Sequence, residues 1–132
     1  MTTRTRQCDE ATRVGRMRKA DEFYEAGVVL EGELPSASVE MFVLAGIAAA
    51  DVVCCTQLGK HSNSENHNDA IALLKEAESG VANYLGTLLR LKSKVAYTHN
   101  PPSADDCKKA SRAAEKLVEA ARRIAKPPHP NP

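Results

Sequence analysis

Apolar and polar residues along the chain alternate with a period near 3.6 wherever a periodicity can be tested, and that period predicts helices. Val14, Met17, Phe23, Ala26 and Leu30 form an apolar stripe through an otherwise charged segment, giving a first helix over Asp9–Gly32. Leu34-Pro35-Ser36 interrupts it, with Ser36 placed as the N-cap of a second helix over Ala37–Leu58. That segment carries Val39, Phe42, Val43, Ile47, Val52 and Val53 on nearly every face, so it should lie at the centre of a bundle. Gly59 is placed to end it. Lys60–Asn66 reads as a polar loop.

A short third helix follows, with Ala70, Ile71, Leu74 and Ala77 on one side, stopping near Ser79-Gly80. The fourth carries Val81, Tyr84, Leu85, Leu88, Leu91 and Val95 at spacings of three and four, and Asn100-Pro101-Pro102 terminates it. Ser103 with Asp106 three residues on resembles a capping box. The last helix then runs to Ala125, with Cys107, Ala110, Ala114, Leu117, Val118, Ala121 and Ile124 inward. No strand or internal repeat is expected. The reading is all-α: an antiparallel bundle of four long helices plus one short one, over residues 9–125. A flexible segment (1–8) precedes it and a Pro-rich tail (126–132) follows.

Composition narrows the function. The 132 residues are 42% hydrophobic and 27% charged, one ordinary globular domain. Aromatics at 4% and the lack of Trp argue against a stacking platform for single-stranded RNA. With 18 basic and 17 acidic residues the net charge is +1, so a nucleic-acid partner would need a local patch. Met1–Asp9 has no apolar stretch behind it and does not read as a secretory signal. The apolar run from Met41 to Cys55 is Ala-rich and reads as too short to span a membrane. A cytoplasmic location follows, with all four cysteines as reduced thiols; neighbouring Cys54 and Cys55 point about 100° apart on a helix and cannot bridge each other easily.

Candidate chemistry is sparse. Cys54, Cys55, His61, His67 and His99 offer no Cys-x-x-Cys pair and no His pair three or four apart, so no metal and no cofactor is expected. Ser62, His61 and Asp69 supply the residue types of a hydrolytic triad without a nucleophile elbow around them. Asp9-Glu10 and Asp105-Asp106 sit at helix starts, where acids complement the helix dipole. The basic residues form two groups. Arg4, Arg6, Arg13, Arg16, Arg18 and Lys19 crowd the N-terminal segment; Arg90, Lys92 and Lys94 precede Tyr97 and His99. Arg90 and Lys94 share a helix face and are placed to hold one phosphate between them.

Several stretches, in this order and spacing, resemble the HEPN superfamily of small helical domains, and most closely an actinobacterial-type subgroup. They are Ala48-Ala49-Ala50-Asp51 through Leu58-Gly59-Lys60, His67-Asn68-Asp69-Ala70 with Leu73-Leu74, Leu88-Leu89-Arg90-Leu91-Lys92 with Ala96-Tyr97, and Ala113-Ala114-Glu115-Lys116-Leu117-Val118-Glu119-Ala120-Ala121-Arg122. The similarity spans most of residues 14–125. It implies a HEPN-like bundle, pairing as a homodimer, in a family rich in metal-independent ribonucleases of toxin–antitoxin and phage-defence systems. An antitoxin or nucleotidyltransferase-like partner belongs to the same implication.

One branch of that family carries R-x4-H-x-Y. Laid on this chain, the motif puts its Arg at Arg90 and its Tyr at Tyr97, but its His on Val95, which can neither take nor give a proton. A shifted register uses His99 as the base with Lys94 or Lys92 in place of Arg. Three readings follow. The first is a non-catalytic HEPN-like module binding RNA, a nucleotide or a partner protein through Arg90, Lys92, Lys94 and Tyr97. The second is an endoribonuclease using His99. The third is a structural helix–helix protein. Small residues on two helix faces (Ala45, Gly46, Ala49; Ala110, Ala114, Ala121) are the expected dimer contacts, with no membrane partner.

Overall fold

The computed structural model describes residues 4–125; the expected loose tail and residues 1–3 lie outside the described residues. Five helices form: α1 (Glu10–Leu30), α2 (Pro35–Leu58), α3 (His67–Ala77), α4 (Ala82–Tyr97) and α5 (Ala104–Ala125), with a 3-10 turn at Ser79–Val81 between α3 and α4. The chain is therefore mostly helical, as the periodicity predicts.

Helix boundaries follow local chemistry. Asp9 caps α1 by accepting hydrogen bonds from Thr12 N–H and Oγ1, both at 2.8 Å. The α2 start differs from expectation: Leu34 is the N-cap and Pro35 the first helical residue, so Ser36 is already inside. Pro at that position forfeits a hydrogen bond that the first turn lacks anyway. Ser38, one turn in, donates instead to the Gly27 carbonyl at 2.7 Å and ties α2 to α1. At the far end Gly59 adopts φ +73 and turns the chain out of the helix. The capping box of α5 is reciprocal: Ser103 N–H donates to Asp106 Oδ2, and Asp106 N–H donates to Ser103 Oγ, both at 3.0 Å.

Helix α2 is the core, with fourteen buried residues, and α1, α3, α4 and α5 pack around it. The helix that contains the 41–55 run is longer than that run and, with mean hydropathy 1.9 over its apolar window, is long and apolar enough to cross a membrane by length and composition. Most of its apolar window is buried against the other helices, which is how the core helix of a bundle presents itself. The first-helix stripe needs a smaller correction. Val14 is 41% exposed, and Ala20, Gly27 and the Tyr24 ring, 5.6 Å from the Phe42 ring, take the inner face. The expected dimer faces are interior: Ala45, Ala49, Ala110, Ala114 and Ala121 are fully buried within this one chain, and Gly46 packs under Leu88.

Two further expectations fail together. Thr5–Gln7 (β1) and Lys60–Ser62 (β2) pair as an antiparallel ribbon with Arg6 opposite His61, so Thr5–Gln7 is not a free segment and Lys60–Ser62 is not loop. Hydrogen bonds from Cys8 N–H to Gly59 O at 3.0 Å and from Asn63 N–H to Arg4 O at 2.9 Å extend the ribbon at both ends. Three residues per strand are too few for an alternation to register. Beside this ribbon Cys8 is disulfide-bonded to Cys55, their Cα atoms 5.6 Å apart across 47 residues of sequence. The reduced-thiol reading is thus wrong for two of the four cysteines. Cys54 and Cys55 do point apart on α2, but that separation turns Cys55 toward the strand and leaves Cys54 a buried free thiol.

Candidate functional site

The β-ribbon delivers Ser62 to one wall of a cavity of about 330 Å³ and sets His61 behind it, against Asp51. Helix α1 adds Arg16, α2 adds Asp51 and Cys54, and α4 adds Leu85, Leu89 and Lys92. The connection into α3 closes the remaining side with Ser62, Ser64, Glu65, Asn66 and His67. That connection is held by its own side chains: Ser64 Oγ donates to Asp69 Oδ2 at 2.8 Å and accepts from Asn66 N–H, while Asn66 Oδ1 caps α3 through Asn68 N–H at 2.8 Å. The polar run that reads as a loop is therefore a stitched wall.

Asp51 is the unusual member. It is 8% exposed, and burial pushes its carboxyl up to about 6, against the opposing pull of Arg16 and His61. Arg16 Nε lies 3.3 Å from Oδ2, but the Arg16 side chain is 38% exposed and stays hydrated, so desolvation of the carboxylate outweighs the pair. His61 Nδ1 lies 3.0 Å from the Ser62 carbonyl and 3.9 Å from Asp51 Oδ1. Only a protonated nitrogen can meet a carbonyl at that distance, so the Nδ1 hydrogen serves Ser62. Among the described residues no protein group donates a hydrogen bond within the geometric limits to the Asp51 carboxylate.

The cavity lacks the parts of a nucleophilic site. Cys54 is pushed up to about 12, first by burial and then by Asp51 and Glu76, so its thiol stays protonated. The Ser62–His61–Asp69 combination does not assemble: Ser64, not Ser62, bonds Asp69, and His61 faces the Ser62 backbone. Among the described residues no three His, Cys, Asp or Glu side chains converge as metal ligands.

The basic cluster of α4 is split by the structure. Lys94 Nζ donates to Asp106 Oδ2 at 2.8 Å, a bond that with the α5 cap holds the Asp106 carboxyl below its usual range. It is therefore not free to share a phosphate with Arg90. Arg90 meets only the Thr87 hydroxyl, at 3.3 Å, and lies in a depression of about 400 Å³ with His67, Asn68 and Gly86. Lys92 enters the 330 Å³ cavity, which also borders His67. The two side chains thus lie in separate hollows that His67, the first residue of α3, borders on both sides. Tyr97 is 80% exposed at the last residue of α4, and His99 is exposed beyond the helix end. Neither borders this cavity. Val95 packs against the core.

The chain matches no family model and no curated protein sequence. The candidate site therefore rests on its own geometry. Sequence reasoning named Arg90 and Lys92 but missed Arg16 and Asp51 as a pair; the usable signal was an acid in the middle of the Ala- and Val-rich stretch of α2. A larger hollow of about 680 Å³, between the α1–α2 turn and the start of α5, is lined by Pro35, Pro102, Cys107 and charged side chains of both signs. It contains no buried polar group, and so nothing built to orient a ligand.

Proposed function

We propose that the protein is a non-catalytic, HEPN-like helical module that binds a phosphate-bearing ligand the size of one nucleotide. The observation that carries this reading is the placement of Lys92 in the 330 Å³ cavity and of Arg90 in the 400 Å³ depression beside it, with His67 at the start of α3 bordering both. That volume is at the lower end for small-molecule sites and suits a single nucleotide rather than a length of RNA. The protonated Cys54 thiol and the dispersed Ser and His residues favour binding over turnover. A toxin–antitoxin or phage-defence role, with a homodimer as the working unit, belongs to the same proposal. Such a dimer would use surfaces other than the small-residue faces, which the monomer's core consumes.

Titration calorimetry with mononucleotides at low salt tests the reading. Arg90→Ala with Lys92→Ala should weaken binding at least tenfold and flatten its salt dependence, whereas His99→Ala should leave affinity unchanged. Equal affinity in the double variant would remove the reading. Cleavage of RNA in EDTA that His99→Ala abolishes would replace it with the nuclease.

A further inference from the structure

The cavity has a direction. Asp51, Cys54, Leu85 and Leu89 at its inner wall are buried, while Lys92, Ser64 and His67 are half-exposed and Asn66 is exposed at the rim. A nucleotide with its phosphate at the rim, toward Lys92 and Arg90, therefore presents its base to the inner wall. Building on the nucleotide-binding reading above, we propose that the Asp51–Arg16 pair selects that base, and that the base is guanine.

Buried carboxylates in folded proteins accept hydrogen bonds, because an unmatched one is costly. Asp51 is buried, borders an open cavity and receives no hydrogen bond within the geometric limits from the described residues; the nearest candidate, His61 Nδ1–H, serves the Ser62 carbonyl. Its Oδ2 faces Arg16 at 3.3 Å and its Oδ1 has only the His61 ring at 3.9 Å, so the carboxylate can still take donors from the cavity side.

Arg16 stands beside it with Nε 3.3 Å from Oδ2, and its terminal nitrogens have no hydrogen-bond partner among the described residues. The inner wall thus offers a two-oxygen acceptor next to a cationic donor. Guanine carries the complementary edge: N1–H and the 2-amino group are parallel donors for one carboxylate, and O6 beside them is an acceptor for a guanidinium. Adenine, cytosine and uracil each offer one donor on that edge where guanine offers two. Leu85 and Leu89 supply apolar surface for the ring faces, in place of the aromatic residues this chain largely lacks.

Calorimetry at pH 8 with GMP, IMP, AMP, CMP and UMP decides the matter on the full chain. GMP should bind tightest, and IMP, which lacks only the 2-amino group, about tenfold weaker for the loss of one hydrogen bond to a charged acceptor. Asp51→Asn should erase the GMP-over-IMP preference and leave residual binding carried by the phosphate end. Arg16→Gln should weaken GMP and IMP alike. Equal binding of all five nucleotides, still sensitive to Arg90→Ala with Lys92→Ala, overturns the guanine assignment and spares the phosphate site. Preference for another base overturns it as well, and no binding of any nucleotide removes both readings. Should Asp51→Asn not fold, the wild-type ratio of GMP to IMP decides alone.

Discussion

Replacing Asp51 by Asn should make the free protein more stable at pH 8, and the gain should vanish on acidification. In the unfolded chain this carboxyl titrates at 3.8; in the fold it sits at about 6, with burial the largest cause. Folding therefore favours its protonated form, so the stability linked to Asp51 is full below pH 3.8 and is lost as pH rises through 6. The gap between those values, which already includes the pull of Arg16 and His61, corresponds to at most about 3 kcal/mol at pH 8, and the cost of burying the Asn amide in place of the carboxylate leaves a gain of about 1–2 kcal/mol. Removing one partner of a buried pair is normally destabilising because the other charge is stranded. Arg16 escapes this, since its side chain is 38% exposed and can rehydrate. Urea denaturation at pH 4, 6 and 8 measures the effect. At pH 8 the Asn variant should unfold at roughly 0.5–1 M more urea than wild type, for a slope of about 2 kcal/mol/M. Near pH 4 the two curves should coincide. An Asn variant that is less stable at pH 8 by as much as at pH 4 would show that the Arg16 pair outweighs desolvation, and the account of this cavity would fail.

Gly46→Ala should destabilise, because the added methyl collides with Leu88 Cδ1 and comes within 3.2 Å of Leu117 Cδ1. Overpacking of about 1–3 kcal/mol offsets the roughly 1 kcal/mol gained in helix propensity, whereas Gly15→Ala, with nothing within 4 Å, should keep that gain and raise Tm by about 3 °C. Cys8→Ser should cost about 2–4 kcal/mol by releasing a link across 47 residues, seen as a lower Tm and faster amide exchange at Arg6 and His61. Asp106→Ala should cost about 1 kcal/mol through the α5 cap. Because the Asp106 carboxyl lies below its usual range, that contribution is present at neutral pH and is lost as pH falls through its folded value; urea titrations at pH 7 and pH 2.5 check both ends.

The helices are legible in this chain because each carries enough residues for a periodicity to average over its exceptions. Val14 falls on the wrong face and Ser36 is not the cap, yet α1 and α2 form where their patterns place them. The ribbon is illegible for the opposite reason: Thr5–Gln7 and Lys60–Ser62 are three residues each, and their pairing is set by the turn at Gly59 and the link from Cys8 to Cys55. That link depends on which way Cys55 faces on a helix buried nearly all round, where no polar stripe fixes the rotation.

The site shows the same limit more sharply. Spacing along α4 put Arg90, Lys92 and Lys94 in one cluster, but what each can do depends on residues far away in sequence. Lys94 is removed from the cluster by Asp106, twelve residues on and already committed to a helix cap. Lys92 is joined to Arg16 and Asp51 only because α1, α2 and α4 share one cavity. Asp51, one of two acids in the apolar helix α2, was visible from the start. Its burial without a hydrogen-bond donor was not, since that depends on where β2 aims the His61 ring, and β2 exists because the N-terminal strand pairs with it. The chain of dependence thus runs from Cys8 through the ribbon to Asp51. It makes the N-terminal residues, which carry no periodic signal at all, part of what shapes the ligand cavity.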